Sequence, residues 1–338
     1  MPHKVKKILV VRVGRAGDVV MITPALKAIL QAYPAADIHV ITSPDGKRVL
    51  KGFDQRLSRL FLYDRKSLLG FWHRRNIRKQ VLQQGYNLVF CFEVKPSYHR
   101  FYQGLNTGRF ELQEANKQLH YSELCLELVR RAAGDKIPHQ WAWLPVSDAA
   151  REKADKMLSA GGVGEDAYVI GMHPSFSGLR KGRFRSTRQH YLREWPPEYF
   201  AELAGLLAAY IRENNINARI IMDLLPDEKD LGEKIVTQSG AACVLFTPPP
   251  DFERYKATIA RMDLLVTPNT GPMHIAAAVG TNIVALFSGL NAKDCGPFMP
   301  PEKYAVLESE KFADADVGIK AIEPGDVFQA CKRFLPGK

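Results

Sequence analysis

Seven short apolar or β-branched runs recur along the chain, KKILVVRV, DIHVIT, YNLVFCF, YVIGMHP, ARIIMDLL, DLLVTP and NIVALFS, each bounded by turn residues. Helical patterns such as SELCLELVRRAAG and EYFAELAGLLAAYIRE fall between several of them. Strands that alternate with helices pair in parallel, with helices on both faces of the sheet, so the chain is α/β. Its 338 residues exceed one ordinary hydrophobic core, which predicts two domains. The stretch WLPVSDAAREKADKMLSAGGVGEDAY holds a proline, a helix start at Ser147 or Asp148, and glycines ahead of a strand at Tyr168. The division is predicted there, with residues 1–155 as a first Rossmann-like domain and 165–320 as a second. Residues 321–338 are read as a closing helix that starts at Pro324 and packs back on the first domain. Ligands of such folds lie beyond the carboxyl ends of the strands, here facing the cleft between domains.

Composition narrows the partners. Hydrophobic residues at 46% and charged ones at 25% are those of a globular chain. Five widely spaced cysteines, with no C-x-x-C pair, fit a reducing cytoplasm. The basic and apolar start MPHKVKKILVVRVG is too short in its apolar part for a signal peptide, and no run is long enough for a bilayer span, so a soluble protein is expected. A net charge of +11 calls for anionic company: nucleic acid, a phosphorylated substrate or an anionic membrane surface.

Four motifs bear on chemistry. In ILVVRVGRAGDVVMITPALKAIL a strand runs into Gly14 and Gly17, Asp18 follows at the strand's carboxyl end, and Thr23-Pro24 reads as an N-cap and first turn. Asp18 either caps the turn or handles a ligand; spacing alone does not choose. In TPNTGPMHIAAAVGTNIVALFSG the strand ends at NTG and a helix opens with Pro272 early, aiming the N–H groups of Thr270, Gly271 and Met273 at an anion, most often phosphate. The alternative is an ordinary strand–turn–helix joint with a buried His274. The loop HPSFSGLRKGRFRSTRQHYLREWPPEYF crowds Arg180, Lys181, Arg183, Arg185, Arg188 and Arg193 between a strand and a helix, as phosphate ligands or as a solvated charged loop. The basic helix WHRRNIRK, with Arg74 and Arg75, suits a membrane surface, an anionic acceptor or plain solvent. A metal site has little support: Asp314 and Asp316 form an Asp-x-Asp pair, while His139, His173 and His190 are scattered without ligand spacing.

The first two motifs together, in this order, resemble glycosyltransferase family 9, the ADP-heptose:lipopolysaccharide heptosyltransferases, and REWPPEYFAELAGLL between them is similar to the family's K-x-W-P segment. The resemblance implies a GT-B fold, two facing Rossmann-like domains with parallel sheets. It implies an inverting, metal-independent glycosyltransferase without a cofactor. Such an enzyme moves heptose, or a related sugar, from an ADP-sugar to a hydroxyl of the phosphorylated lipopolysaccharide core and lipid A, and works as a peripheral protein at the inner face of the cytoplasmic membrane. Asp18 matches the catalytic base. Thr270, Gly271 and His274 match the D-T-G-x-x-H loop, and with Asn269, Met273, Arg193 and the acid Glu228 (or Asp227) they would hold the donor. Arg15, Arg74, Arg75, Arg180 and Lys181 would face the acceptor.

Three departures bear on that reading. Asn269 stands where the family usually has aspartate, leaving donor identity open, Arg193 stands where it usually has lysine, and the arginine-rich 180–188 segment goes beyond the usual pattern. A different sugar nucleotide or acceptor, or a non-catalytic sugar-nucleotide binder, stays open as an alternative. An oxidoreductase would need a glycine fingerprint with its acid at the end of the second strand, whereas GRAGD puts the acid inside the loop. A nucleic-acid binder would show a recognition motif, and the basic residues here cluster in loops instead.

Overall fold

The opening apolar run becomes strand β1 (Lys7–Arg12), whose Ile8, Leu9, Val10 and Val11 are all fully buried. Burial on both faces is what a central parallel strand requires. It pairs in parallel with β2 (Asp37–Thr42) on one side and β4 (Leu88–Cys91) on the other. Strands β3 (Arg59–Leu62) and β5 (Gly108–Glu111) form the edges, in the order β3-β2-β1-β4-β5. The computed structural model describes residues 5–65, 67, 70–113, 119–134, 136–175, 192–288, 292–311 and 317–337.

The chain divides into two units, Met1–Pro145 and Val146–Lys338. In the second, β6 (Tyr168–Met172), β7 (Ala218–Asp223), β8 (Val244–Phe246), β9 (Leu264–Pro268), β10 (Asn282–Phe287) and β11 (Tyr304–Glu308) form an all-parallel sheet in the order β11-β10-β9-β6-β7-β8. Counted within the unit this is the Rossmann order, reversing direction between β6 and β9; in the first unit the reversal falls between β1 and β4. Ligand crevices of open α/β sheets lie at such points, so the loops after β1, β4, β6 and β9 are the places to look.

The division falls earlier in the chain than the sequence places it. Helix Asp148–Ala160, capped by the Ser147 hydroxyl accepting from the Ala150 N–H, lies in the second unit, so residue 155 falls inside a helix and not between domains. Its Ala150 and Ala154 pack on Ala257 of helix Phe252–Arg261, a close approach that small side chains permit, and Lys153 pairs with Asp251 at 2.7 Å. The closing helix, Pro324–Lys332, packs within the second unit against helix Pro197–Glu213, its Val327 and Cys331 in the core with Phe200 and Leu207. Val327 and Cys331 give it an apolar stripe that the core of the second unit buries.

All five cysteines carry free thiols. Among the described residues no helix is long and apolar enough to cross a membrane.

Candidate active site

At the first unit's reversal point, β1 leads into a short helix, Ala16–Val20, that carries Asp18. One carboxylate oxygen of Asp18 accepts the Arg15 N–H at 2.8 Å; the other lies 3.2 Å from the Arg12 guanidinium. Gly14 is there because of Asp18: a Cβ at position 14 would stand 2.3 Å from the Asp18 Cβ. So Asp18 does cap its turn, as the plainer alternative has it, and it also presents a carboxylate 39% exposed beside a guanidinium only 11% exposed.

Behind it lies a buried carboxylate that no local sequence pattern marks. Glu93, just past β4, accepts the Val13 N–H at 2.7 Å and lies 3.7 Å from Arg12. Arg12 also donates to the carbonyls of Phe92 (3.2 Å) and Asp18 (3.2 Å), and lies 4.6 Å over the ring of Tyr121, whose hydroxyl bonds the Phe92 carbonyl. Burial pushes the Glu93 carboxyl up from its ordinary value, opposed by Arg12. The result is a relay, Glu93 to Arg12 to Asp18, that fixes the orientation of the exposed acid. Thr23 differs from expectation: its hydroxyl turns back to the Val20 carbonyl (2.8 Å) and accepts the Trp143 N–H (3.2 Å), so Ile22 stands at the N-cap of helix Thr23–Ala32.

In the second unit, β9 ends at Pro268 and helix Gly271–Val279 begins directly after it. Asn269 continues the sheet by donating to the Leu286 carbonyl (3.0 Å), its own carbonyl accepts from the Arg193 guanidinium, and its side-chain amide faces the Cys295 sulfur at 3.5 Å. Thr270 is extended at the N-cap, but its hydroxyl turns to the Pro268 carbonyl (3.2 Å) and to the Thr267 hydroxyl (3.1 Å). The Thr270 side chain makes no capping hydrogen bond to this helix start, and a start left so by its N-cap residue is a place where an anion can bind. Met273, His274, Ala276, Ala277 and Ala278 of this helix are all buried.

Arg193 is held from both sides. The Leu192 carbonyl accepts from the Ile319 N–H (2.9 Å) and the Ser288 hydroxyl. Trp195 is 1% exposed, donates its indole N–H to the Ile322 carbonyl at 2.8 Å and meets Phe200 edge-on at 4.6 Å. The tryptophan of the REWPP segment is thus a pillar, and the arginine two residues before it is aimed at the loop after β9.

Across the reversal point, the loop after β6 joins the loop after β7: the Ser175 hydroxyl bonds Glu228, whose second oxygen accepts the Leu225 N–H at 3.1 Å. Asp227 is exposed beside it. The structure therefore brings Arg193 together with Asn269 at the end of β9, and Glu228 together with the loop after β6. Beneath the second group, Arg254 pairs with Asp223 at the end of β7, both buried; burial pushes the Asp223 carboxyl up to about 6 against the pull of Arg254.

His173, just past β6, lies 3.3 Å from the Tyr255 hydroxyl, and burial lowers its pKa to about 4, partly opposed by the Glu228 charge. A base whose folded value is depressed favours folding above its unfolded value near 6.5, and that contribution is lost as pH falls toward 4. Acidification from pH 7 to pH 4.5 is expected to cost the wild type roughly 2 kcal/mol more than His173→Gln. Denaturant unfolding at the two pH values checks it; equal losses would remove His173 as the cause.

The remaining candidates scatter. Arg74 and Arg75 lie on helix Gly70–Leu82, Arg74 at 6.0 Å over Tyr63, and no described contact joins them to Asp18. Arg15 is exposed, tied to Asp18 through its backbone. Arg180, Lys181, Arg183, Arg185, Arg188, His190, Asp314 and Asp316 lie outside the described residues. His139 pairs with Glu123 (3.3 Å), and among the described residues no cluster of His, Cys, Asp or Glu could hold a metal ion.

The model of glycosyltransferase family 9 (heptosyltransferase) matches residues 113–318, more than half of the chain. The chain belongs to glycosyltransferase family 9. Among curated proteins it is similar to the lipopolysaccharide core heptosyltransferase OpsX of Haemophilus influenzae, 30% identical over 111 residues; the match spans 31% of this chain and less than a third, 29%, of that protein. Among solved structures it is similar to a family 9 glycosyl transferase from Veillonella parvula (TM-score 0.80, 18% identity, 97% of both chains). It is also similar to the E. coli ADP-heptose lps heptosyltransferase II (TM-score 0.69, 19% identity, 97% of this chain and 98% of that one) and to the E. coli heptosyltransferase WaaC with ADP (TM-score 0.69, 17% identity, 97% and 100%). At these identities the likeness is one of fold: two parallel-sheet Rossmann-like domains of the GT-B class.

Proposed function

We propose that the chain is an inverting glycosyltransferase that moves a heptose, or a related sugar, from an ADP-sugar to a hydroxyl of the lipopolysaccharide core. The observation that carries the reading is the start of helix Gly271–Val279 at the second reversal point, which the Thr270 side chain does not cap, with Arg193 bonded to the Asn269 carbonyl beside it. A helix start and a guanidinium are complementary to a diphosphate, the group on which charge develops as the sugar leaves. Asn269, Thr270, Gly271, Met273, His274, Arg193 and Glu228 make up the donor site in this reading. WaaC, which shares the fold, was solved with ADP and with ADP-2-deoxy-2-fluoro heptose.

Asp18 supplies the base. The acceptor hydroxyl attacks the anomeric carbon from the face opposite the diphosphate, its proton passes to the Asp18 carboxylate, and the bond from the anomeric carbon to the diphosphate oxygen breaks, which inverts the configuration. No metal takes part: the helix start and Arg193 stabilise the departing ADP. Arg15, Arg74, Arg75 and the 180–188 segment supply positive charge for the acceptor's phosphates. A lipid-linked acceptor places the protein at the inner face of the cytoplasmic membrane, as a peripheral protein of the cytoplasm.

Calorimetric titration with ADP, UDP, GDP and NAD, without added metal, tests the donor. ADP is expected to bind at least about tenfold more tightly than the others. Preference for UDP or GDP would keep the transferase and discard the ADP-sugar, as the amide at Asn269 allows. Binding of NAD alone, or of nothing, would overturn the reading.

A further inference from the structure

Helix Gly70–Leu82 has two unlike sides. Inward, Ile77 and Val81 are buried with Phe101 and Tyr98 of the Pro96–Phe101 turn, and Arg74 lies over Tyr63. At 100° per residue, Trp72, Arg75 and Lys79 fall opposite that seam, with Phe71 and Leu82 beside them. Phe71 is 64% and Trp72 65% exposed, with the two rings edge to face at 6.0 Å, and Leu82 is 38% exposed. The helix carries Arg74, Arg75, Arg78 and Lys79 and no acidic residue. Leu62, 40% exposed on edge strand β3, lies alongside in a shallow groove shared with His73 and Asn76.

Single exposed apolar residues are ordinary, but two adjacent aromatics left in water on an otherwise cationic helix are not. A partner that rewards both must offer negative charge at its surface and hydrocarbon one side chain deeper. That is an anionic lipid bilayer: arginine and lysine pair with head-group phosphates while Phe and Trp enter the interfacial layer. We infer that this outward face, with Phe71 and Trp72 as the inserted residues and Lys79 as the charge contact, is the surface by which the first unit docks on an anionic membrane. The inference deepens the peripheral placement proposed above, and its test does not depend on the sugar transferred.

The test is sedimentation of the full chain with phosphatidylglycerol/phosphatidylcholine vesicles and with phosphatidylcholine vesicles alone. Transfer to a delipidated, water-soluble core acceptor is measured in parallel. The wild type is expected to bind the anionic vesicles selectively. Phe71→Ser/Trp72→Ser and Lys79→Glu are each expected to lower the partition coefficient about tenfold. The aromatic double variant is expected to keep its transfer to the soluble acceptor and its far-UV spectrum. Quenching of tryptophan fluorescence by brominated lipid, present in the wild type and lost in Trp72→Phe, places the indole in the layer. Equal binding by the double variant, no preference for anionic vesicles, or quenching that persists in Trp72→Phe would each overturn the inference. Vesicle binding without any transfer would leave it standing and sink the proposed reaction. A double variant that binds vesicles normally but loses transfer would hand the face to the acceptor saccharide, against the inference.

Discussion

Replacing Asp18 by Asn is expected to lower kcat by at least about 10³-fold while leaving the dissociation constant for ADP within about twofold of the wild type. The amide has the carboxylate's shape but cannot take the acceptor's proton. General-base catalysis is worth about 10²–10⁴, and this acid's position favours the upper part of that range. It is the exposed end of a relay whose inner members, Arg12 and Glu93, are shielded from water, so its orientation is fixed before substrate arrives. The substitution has a structural side effect of known sign. Asp18 receives two donors, the Arg15 N–H and the Arg12 guanidinium, and an amide offers one oxygen for both. A loss of about 1 kcal/mol in the first unit is expected with the loss of turnover. Single-turnover rates at saturating donor, with calorimetry of ADP, separate chemistry from binding. Unimpaired transfer would remove Asp18 from the mechanism; lost ADP binding would mean that the residue shapes the donor site instead.

Trp195→Ala is expected to destabilise the second unit by about 3–5 kcal/mol and to weaken ADP binding as well. The side chain is fully enclosed, touches Phe200 and Tyr199 edge-on, and holds the Ile322 carbonyl through its indole N–H. Truncation opens a cavity and strands that carbonyl, two separate costs. Trp195→Phe isolates the second: it keeps most of the volume and is expected to cost about 1–2 kcal/mol. Denaturation followed by near-ultraviolet circular dichroism reads both variants, and a cost below about 1 kcal/mol for the alanine variant would show that the pocket collapses and the tryptophan supports nothing. The ADP effect follows from chain geometry, since Arg193 lies two residues before the pillar and its direction depends on the clamp on Leu192.

The legible part of the fold was its centre. The seven strands read from apolar runs are β1, β2, β4, β6, β7, β9 and β10, and these are the inner strands of both sheets. The four passed over, β3, β5, β8 and β11, are the four edges. Inner strands are enclosed on both faces and so read as apolar runs, whereas the edges are three to five residues long and mostly half-buried or exposed, so their apolar signal is short and weak. The same physics sorted the site. Asp18 and the 269–274 loop follow apolar strands immediately and carry glycine or proline signals, so sequence position alone marks them. Glu93 also follows a strand directly, but its meaning depends on β4 lying next to β1, which no local pattern states. Arg254 and Asp223 meet across a sheet and a helix, and Tyr255 reaches His173 in the same way; those partnerships belong to the tertiary structure.

The sheet order of the second unit also sets a schedule for its synthesis. Strand β6 is the first to leave the ribosome, and β7 can pair with it soon afterwards, but its other neighbour, β9, begins only at Leu264. That is about 90 residues behind β6, and at about 5–20 residues per second the nascent chain waits roughly 5–20 s with one long edge of its central strand unpaired. Parallel pairing allows no quicker partner, because each neighbour comes only after a crossover helix. The nascent second unit is therefore expected to be a client of ribosome-associated chaperones during the interval between β6 and β9, and to aggregate most readily when translation is arrested within it.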